Sequence, residues 1–249
     1  MHFWKYCGAG NDFVILENFD GSIAPERYAA LAAALCREHF SVGADGLMVL
    51  EPPAQGGDCR MRFYNRDGST AEMCGNGARC LCRHCHDRGL AAGPVQRIET
   101  PAGLVTGRRI TADRYRIRLN RPSVVRLHVE AEGVRCAYLE LGEPGIPHAV
   151  VLTELDRPRG ANVNLCAVTG ENRVRLLTFE RGVEDFTLAC GTGTGATVAA
   201  LARLGLVSGG GTQVQTDGGL LSVDLDGEDI DLIGPAELTF TGDLPELPA

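Results

Sequence analysis

Two cysteines carry the most informative local pattern in this 249-residue chain. Each opens a Cys-Gly-x-Gly run: Cys74-Gly75-Asn76-Gly77 and Cys190-Gly191-Thr192-Gly193. The stretch after each ends at a glycine, Gly89 or Gly205, which predicts a helix with a glycine C-cap. Each cysteine then stands at a helix N-terminus, where backbone N–H groups and the positive end of the dipole favour the thiolate. The same N–H groups form a ready site for a carboxylate, and the glycines let a ligand approach the backbone. One such motif is a weak signal, because a lone cysteine is more often a small core residue.

Two of them suggest a substrate held between two thiols. That arrangement suits racemisation: one thiolate removes the proton from Cα and the opposing thiol supplies a proton to the other face. The carbanion's charge spreads into the α-carboxylate, where preorganised N–H donors stabilise it. The pair should titrate as a coupled unit. Glu180 and His148 are polar candidates for tuning it, although His148 taken alone suits a satisfied structural histidine. Asn11, after Gly8-Ala9-Gly10, suits turn chemistry when taken alone. The reaction calls for no cofactor, and the sequence offers no obvious site for one. Two thiols sharing one carbon should also close into a disulfide when no substrate separates them, so activity should require a reductant.

The elements that position these cysteines follow from an internal repeat. Residues 63–105 match residues 179–221 without a gap, every pair standing 116 positions apart (190 − 74). Phe63 matches Phe179, Gly89-Leu90 matches Gly205-Leu206, Thr100 matches Thr216, and Gly103-Leu104 matches Gly219-Leu220. Met61–Tyr64 and Val174–Phe179 read as strands leading to each cysteine, with a turn at Asp67-Gly68-Ser69 in the first half. A strand is expected again after each Thr-x-x-Gly-Leu. A further helix is expected over 25–38, with Pro25 in its first turn and Tyr28, Leu31, Ala32 and Leu35 on its apolar face. Gly8–Val14 echoes Gly145–Val151 more loosely, at an offset of 137 (145 − 8). The fold class is therefore α+β, in two pseudo-symmetric domains. Residues 1–110 form the first, completed by 235–249 as an edge strand, and 111–234 form the second. No Gly/Ser linker separates the halves, so close packing with the active site in a cleft between them is expected.

Composition narrows the partners. The formal net charge is −8, and Lys and Arg are scattered, which argues against a nucleic-acid or anionic-membrane partner. No apolar run approaches the ~20 residues that span a bilayer. The N-terminal residues lack a signal-peptide pattern, so a cytoplasmic location is expected. A small-molecule amino acid is the expected substrate and a homodimer the expected assembly.

Other chemistries compete. Cys80, Cys82 and Cys85 with His84 and His86 resemble a zinc cluster, but on one helix those side chains fan outward and no second Cys pair accompanies them. Gly191-Thr-Gly-Thr-Gly-Ala follows a strand and opens a helix, yet lacks the Lys-Ser/Thr of a phosphate loop. A cysteine hydrolase built on Cys190 and His148 leaves Cys74 without a role. A dehydratase would use one thiol, and an amino-acid-binding protein neither.

The chain resembles the diaminopimelate epimerases. The resemblance rests on Gly8-Ala-Gly-Asn-Asp-Phe13, Asn65–Ser69, Ala71–Arg79, Pro147-His148, Asn162-Val-Asn164, Glu180-Arg-Gly182 and Ala189–Gly193, and so spans most of the chain. It implies that Cys74 and Cys190 are the acid/base pair in epimerisation of LL-2,6-diaminopimelate to the meso form, in lysine and peptidoglycan precursor synthesis. It implies that Gly75-Asn76 and Gly191-Thr192 hold the reacting carboxylate. Asn11, Asn65, Asn162, Glu180 and Arg181 would contact substrate, and His148 and Glu180 would tune the thiols. It further implies that each domain is a mostly antiparallel sheet around a central helix. Three features depart from the family pattern: Ile146 where Gly-Asn-Pro-His is frequent, Gly46 where some members carry glutamine, and a short 148–162 segment with a Pro-Arg-Gly turn. They leave the proton-transfer core intact and change the distal contacts. Racemisation of another amino acid, such as histidine, is the alternative on the same scaffold.

Overall fold

The computed structural model describes residues 1–71, 73–131, 133–152, 161–181, 183 and 185–244. Glu72, Gly182 and the Pro158-Arg159-Gly160 turn, all named above, lie outside the described residues, as does the end of the 235–249 segment. The chain divides into two compact units, Met1–Tyr115 with Pro235–Ala249, and Arg116–Gly234.

The first unit begins with β1 (His2–Gly8) and β2 (Asn11–Glu17), followed by α1 (Tyr28–Leu35), β3 (Gly46–Glu51), β4 (Cys59–Asn65) and β5 (Thr70–Ala71). Then come α2 (Gly75–Asp87), β6 (Val95–Thr100), β7 (Gly103–Arg109) and β8 (Arg114–Leu119), the last running across the boundary between the units. The second unit continues with β9 (Pro122–Ala131), β10 (Val134–Leu141), β11 (Ile146–Val151), β12 (Asn162–Gly170), β13 (Arg173–Glu180) and β14 (Asp185–Thr187). It ends with α3 (Gly191–Arg203), β15 (Thr212–Thr216), β16 (Gly219–Asp226) and β17 (Asp229–Pro235), and β18 (Glu237–Asp243) closes the first unit.

One pairing scheme occurs twice. β1/β2 and β3/β4 are antiparallel, while β2/β3 and β4/β6 are parallel. Likewise β10/β11 and β12/β13 are antiparallel, and β11/β12 and β13/β15 parallel. β5 and β14 pair antiparallel with the last residues of β4 and β13. The outer neighbour of β1 is β18, antiparallel, as β9 is of β10. Each sheet is thus mostly antiparallel, and each surrounds one helix: α2 packs on β1, β2, β6, β7 and β18, and α3 on β9, β10, β11, β12 and β16.

Strand β2 explains how one unit buries two faces. Its residues alternate sides with period two. Val14 and Leu16, with Leu47 and Val49 of β3, pack in one cluster with Tyr28, Leu31 and Leu35 of α1. Phe13 and Met48 instead face α2 at Gly77, where a Cβ would collide with the Met48 methyl.

The helix ends follow local chemistry. Gly89 and Gly205 adopt φ of 64° and 72°, and Leu90 and Leu206 N–H return to the Cys85 and Leu201 carbonyls, closing both helices as the glycines implied. The helix expected over 25–38 is shorter. Pro25–Arg27 forms a 3-10 turn, and α1 stops at Leu35. The Gly43 and Ala44 N–H groups fold back onto the Leu35 and Cys36 carbonyls at 2.9 and 3.2 Å, competing with helix continuation.

Candidate active site

Cys74 and Cys190 occupy the same local geometry. Each is the N-cap of its helix, with φ, ψ of −127°, 120° and −117°, 116°. Each sulfur accepts the N–H three residues on, from Gly77 at 3.5 Å and from Gly193 at 3.3 Å. Sulfur thus does what a serine or aspartate oxygen does at an ordinary cap. A sulfur that accepts N–H bonds at the positive end of a helix is stabilised as thiolate. The backbone of Gly75-Asn76 and of Gly191-Thr192 forms the first turn in each case. Cys190 is more enclosed, at 6% exposure, and Cys74 is half-buried.

Around Cys74 the first unit gathers two amides. The Cys74 thiol donates to Asn11 Oδ1 at 3.4 Å, and Asn76 Nδ2 donates to the same oxygen at 3.4 Å. Asn11 opens β2 and Asn76 is fully buried in α2. Asn65 lies at the exposed end of β4, its Nδ2 on Ser69 Oγ at 3.0 Å in the Asp67–Ser69 turn. Gly46 is opposite Asn65 in the ladder. A Cβ at Gly46 would come within 2.6 Å of Phe63 Cε2 and 2.8 Å of the Tyr64 carbonyl, so no side chain fits at this position.

In the second unit, Thr192 Oγ1 lies 3.5 Å from the Cys190 sulfur, and Thr194 Oγ1 donates to the Cys190 carbonyl at 2.7 Å. His148 on β11 sits beside Asn162 of β12 in the parallel ladder. The imidazole is fully buried, and that burial, with the Arg181 guanidinium adding to it, pushes its pKa down to about 3. It is neutral at physiological pH, and its tautomer can be assigned. The Ala149 and Asn162 carbonyls, which only accept, lie 3.4 Å from Asn164 Nδ2 and fix that end as the amide nitrogen, so Nδ2 donates to His148 Nδ1 at 3.3 Å while Asn164 Oδ1 accepts from Thr178 Oγ1 at 3.0 Å. The proton then sits on Nε2, which is buried and has no partner among the described residues. Glu180 ends β13 and accepts from Thr187 Oγ1 at 3.0 Å. Asn162 Oδ1 accepts the Arg181 backbone N–H at 2.9 Å, which turns its Nδ2 end the other way. The Arg181 side chain is exposed.

Within the first unit the structure brings Asn11, Cys74 and Asn76 together and leaves Asn65 on a separate turn. Within the second it places Thr192 at Cys190 and links His148 to β12. Three polar residues beside these groups are given no role by the sequence alone: Asn164, Asp45, which accepts from Asn11 Nδ2 at 2.6 Å, and Arg79, which donates to Asn76 Oδ1 at 3.0 Å. Asn164 was discoverable, since it shares a face of β12 with Asn162 at period two. Arg79 closes the first cysteine motif and carried no signal of its role. The residues of the zinc-like pattern have other surroundings. Cys80, Cys82 and Cys85 are buried on α2, His84 Nε2 meets Glu17 at 2.9 Å, and His86 Nδ1 meets Asp87 at 3.0 Å. Burial raises the pKa of the Cys80 and Cys82 thiols well above the usual cysteine range, which keeps them inert. Among the described residues no group of three or more His, Cys, Asp or Glu could hold a metal ion, and no helix is long and apolar enough to cross a membrane.

The family model described as diaminopimelate epimerase matches residues 3–118 and 145–239. The diaminopimelate epimerase of Methanothrix thermoacetophila is 37% identical over 271 residues, covering 97% of this chain and 95% of that protein. That of Archaeoglobus fulgidus is 35% identical over 269 residues, covering 96% and 95%. Among solved structures, a Bacillus anthracis phenazine biosynthesis protein of the PhzF family shares the fold, with a TM-score of 0.73 at 16% identity over 98% of each chain.

Proposed function

The chain belongs to the diaminopimelate epimerase family, and from that premise we propose that this isomerase converts LL-2,6-diaminopimelate to the meso form by two-base proton transfer at Cα, serving lysine and peptidoglycan precursor synthesis. The observation that carries the mechanism is the pair of cysteine N-caps. Two thiols in repeated units have the same backbone geometry, and each sulfur accepts an N–H from the first turn of an enclosed helix.

The reaction requires both sulfurs at one carbon. One thiolate takes the Cα proton and becomes a thiol, while the other thiol gives its proton to the opposite face and becomes a thiolate. The charge left on Cα at the transition state spreads into the α-carboxylate. Backbone N–H groups of Gly75-Asn76 and Gly191-Thr192 are the donors for it, and loss of one such donor typically costs about 10²–10³ in rate. Each positioned acid or base contributes about 10²–10⁴. His148, neutral and carrying its proton on Nε2, and Glu180 act on the thiols, while Asn11, Asn65, Asn162 and Arg181 orient the amino acid. The chemistry uses only side chains and backbone of this chain.

Gly46 favours a second substrate reading. With no side chain possible there, and with Ile146 at the start of β11, the polar contacts for a distal amino-acid group are fewer, which suits racemisation of another amino acid. Proton NMR of the reduced protein in D2O, with LL-diaminopimelate and single L-amino acids offered separately, distinguishes the two. Loss of the α-proton signal with formation of meso product is expected for diaminopimelate alone. Exchange only with another amino acid would keep the mechanism and discard this substrate, and exchange with none would refute both.

A further inference from the structure

Four side chains of the first unit form a line of hydrogen bonds that all run one way. Arg79 Nη2 donates to Asn76 Oδ1 at 3.0 Å, Asn76 Nδ2 donates to Asn11 Oδ1 at 3.4 Å, and Asn11 Nδ2 donates to Asp45 Oδ2 at 2.6 Å. Cys74 joins the line at its middle, its sulfur 3.4 Å from Asn11 Oδ1. One end of the line is a cation and the other an anion.

Both ends are held in place. Arg79 is fully buried, and its remaining contacts go to the Gly8, Gly75 and Pro235 carbonyls. No carboxylate pairs with it among the described residues, so the chain keeps a buried charge that a packing role alone would not justify. Asp45 also accepts the Asp12 N–H at 3.1 Å, while its own N–H donates to Asp12 Oδ1 at 2.9 Å. Asp12 is paired in turn with the buried Lys5 at 2.8 Å.

A primary amide is nearly symmetric in shape but not in chemistry, so its two ends can exchange unless a neighbour forbids it. A guanidinium only donates, which forces Asn76 to present its oxygen to Arg79. A carboxylate only accepts, which forces Asn11 to present its nitrogen to Asp45. Between those two constraints a single order remains, and it aims the Asn11 carbonyl at the Cys74 sulfur and the Asn76 Nδ2 at that carbonyl. We propose that Arg79 and Asp45 are positioning residues for the reaction, the charged termini of an amide relay that sets which atoms of Asn11 and Asn76 face Cys74. The repeat marks the relay as special to this half, since the positions matching Asn76 and Arg79 are Thr192 and Gly195. The two proton carriers are therefore served by different surroundings. The proposal rests on the reading of Cys74 as one of them.

The first measurement needs no variant. In protein labelled with ¹⁵N at asparagine, the Asn11 and Asn76 carboxamide protons should exchange slowly with solvent and resonate apart from exposed amides. Fast exchange at exposed-amide positions would overturn the relay whatever the protein's activity. The second is steady-state α-proton exchange of wild type beside Asp45→Asn, a near-isosteric change whose new amide can donate as well as accept. The expected result is a kcat at least tenfold lower, a KM within threefold of wild type and an unchanged thermal midpoint. Arg79→Lys attacks the other terminus and should show the same split, which covers the case in which one variant does not fold. A folded variant with kcat within twofold of wild type would overturn the proposal. Wild type inactive with every amino acid would instead overturn the epimerase reading, leaving the relay to be judged by the NMR measurement.

Discussion

Protonation of His148 should destabilise the folded chain, and the size of the effect follows from its burial. The imidazole is fully buried and its pKa is pushed from 6.5 to about 3. The unfolded chain binds a proton there as pH falls below 6.5, while the folded chain stays neutral until about 3, so stability contributed above pH 6.5 is lost as pH falls. Each pH unit in that window costs about 1.4 kcal/mol, and between pH 8 and pH 5 the loss is about 2 kcal/mol. His148→Gln retains a polar side chain of similar size and removes the titration. The assay is urea unfolding of wild type and variant at both pH values, read as the change in stability from pH 8 to pH 5. The wild type should lose about 2 kcal/mol more than His148→Gln, because every other titrating group is common to both. Equal losses would refute the assignment of a buried neutral imidazole. Nor would a neutral imidazole with its proton on Nε2 then describe this site.

Other consequences are as direct. Cys74→Ala and Cys190→Ala should each lower α-proton exchange by about 10²–10⁴, as expected for removal of one proton carrier, and cost about 0.5–2 kcal/mol in stability for the lost N-cap; retention of wild-type kcat by either folded variant would exclude the two-thiol mechanism. Gly46→Ala places a methyl against the Phe63 ring and the Tyr64 carbonyl and should cost about 1–3 kcal/mol in chemical denaturation, and an unchanged midpoint would show that β3 and β4 do not approach this closely there. Asn164→Leu removes the donor to His148 Nδ1 and the acceptor for Thr178, leaving buried groups unpaired. It should lower stability by about 1–3 kcal/mol and kcat as well; wild-type values of both in a denaturation curve and an exchange assay would separate His148 from the chemistry.

Much of this protein was legible in the sequence, because its strongest signals are local. A cysteine at an N-cap, a glycine at C′ and a constant offset of 116 positions (190 − 74) are readable along the chain, and they located α2, α3 and the strands around them. Helix α1 was misjudged at its end for the opposite reason: the bonds that stop it come from Gly43 and Ala44, beyond the window in which helix propensity acts. Tertiary structure alone decided what surrounds each sulfur. Asn11 reaches Cys74 across 63 positions, Asp45 reaches Asn11 across 34, and Arg79 reaches the Pro235 carbonyl across 156. None of these contacts leaves a periodic trace, because a hydrogen bond between distant residues depends on where the backbone has carried them and on which end of an amide is turned inward. The same holds for Gly46, whose missing side chain makes sense only once Phe63 and Tyr64 lie against it. Sequence spacing determined which residue types could move a proton, and packing determined which atoms of their neighbours face them.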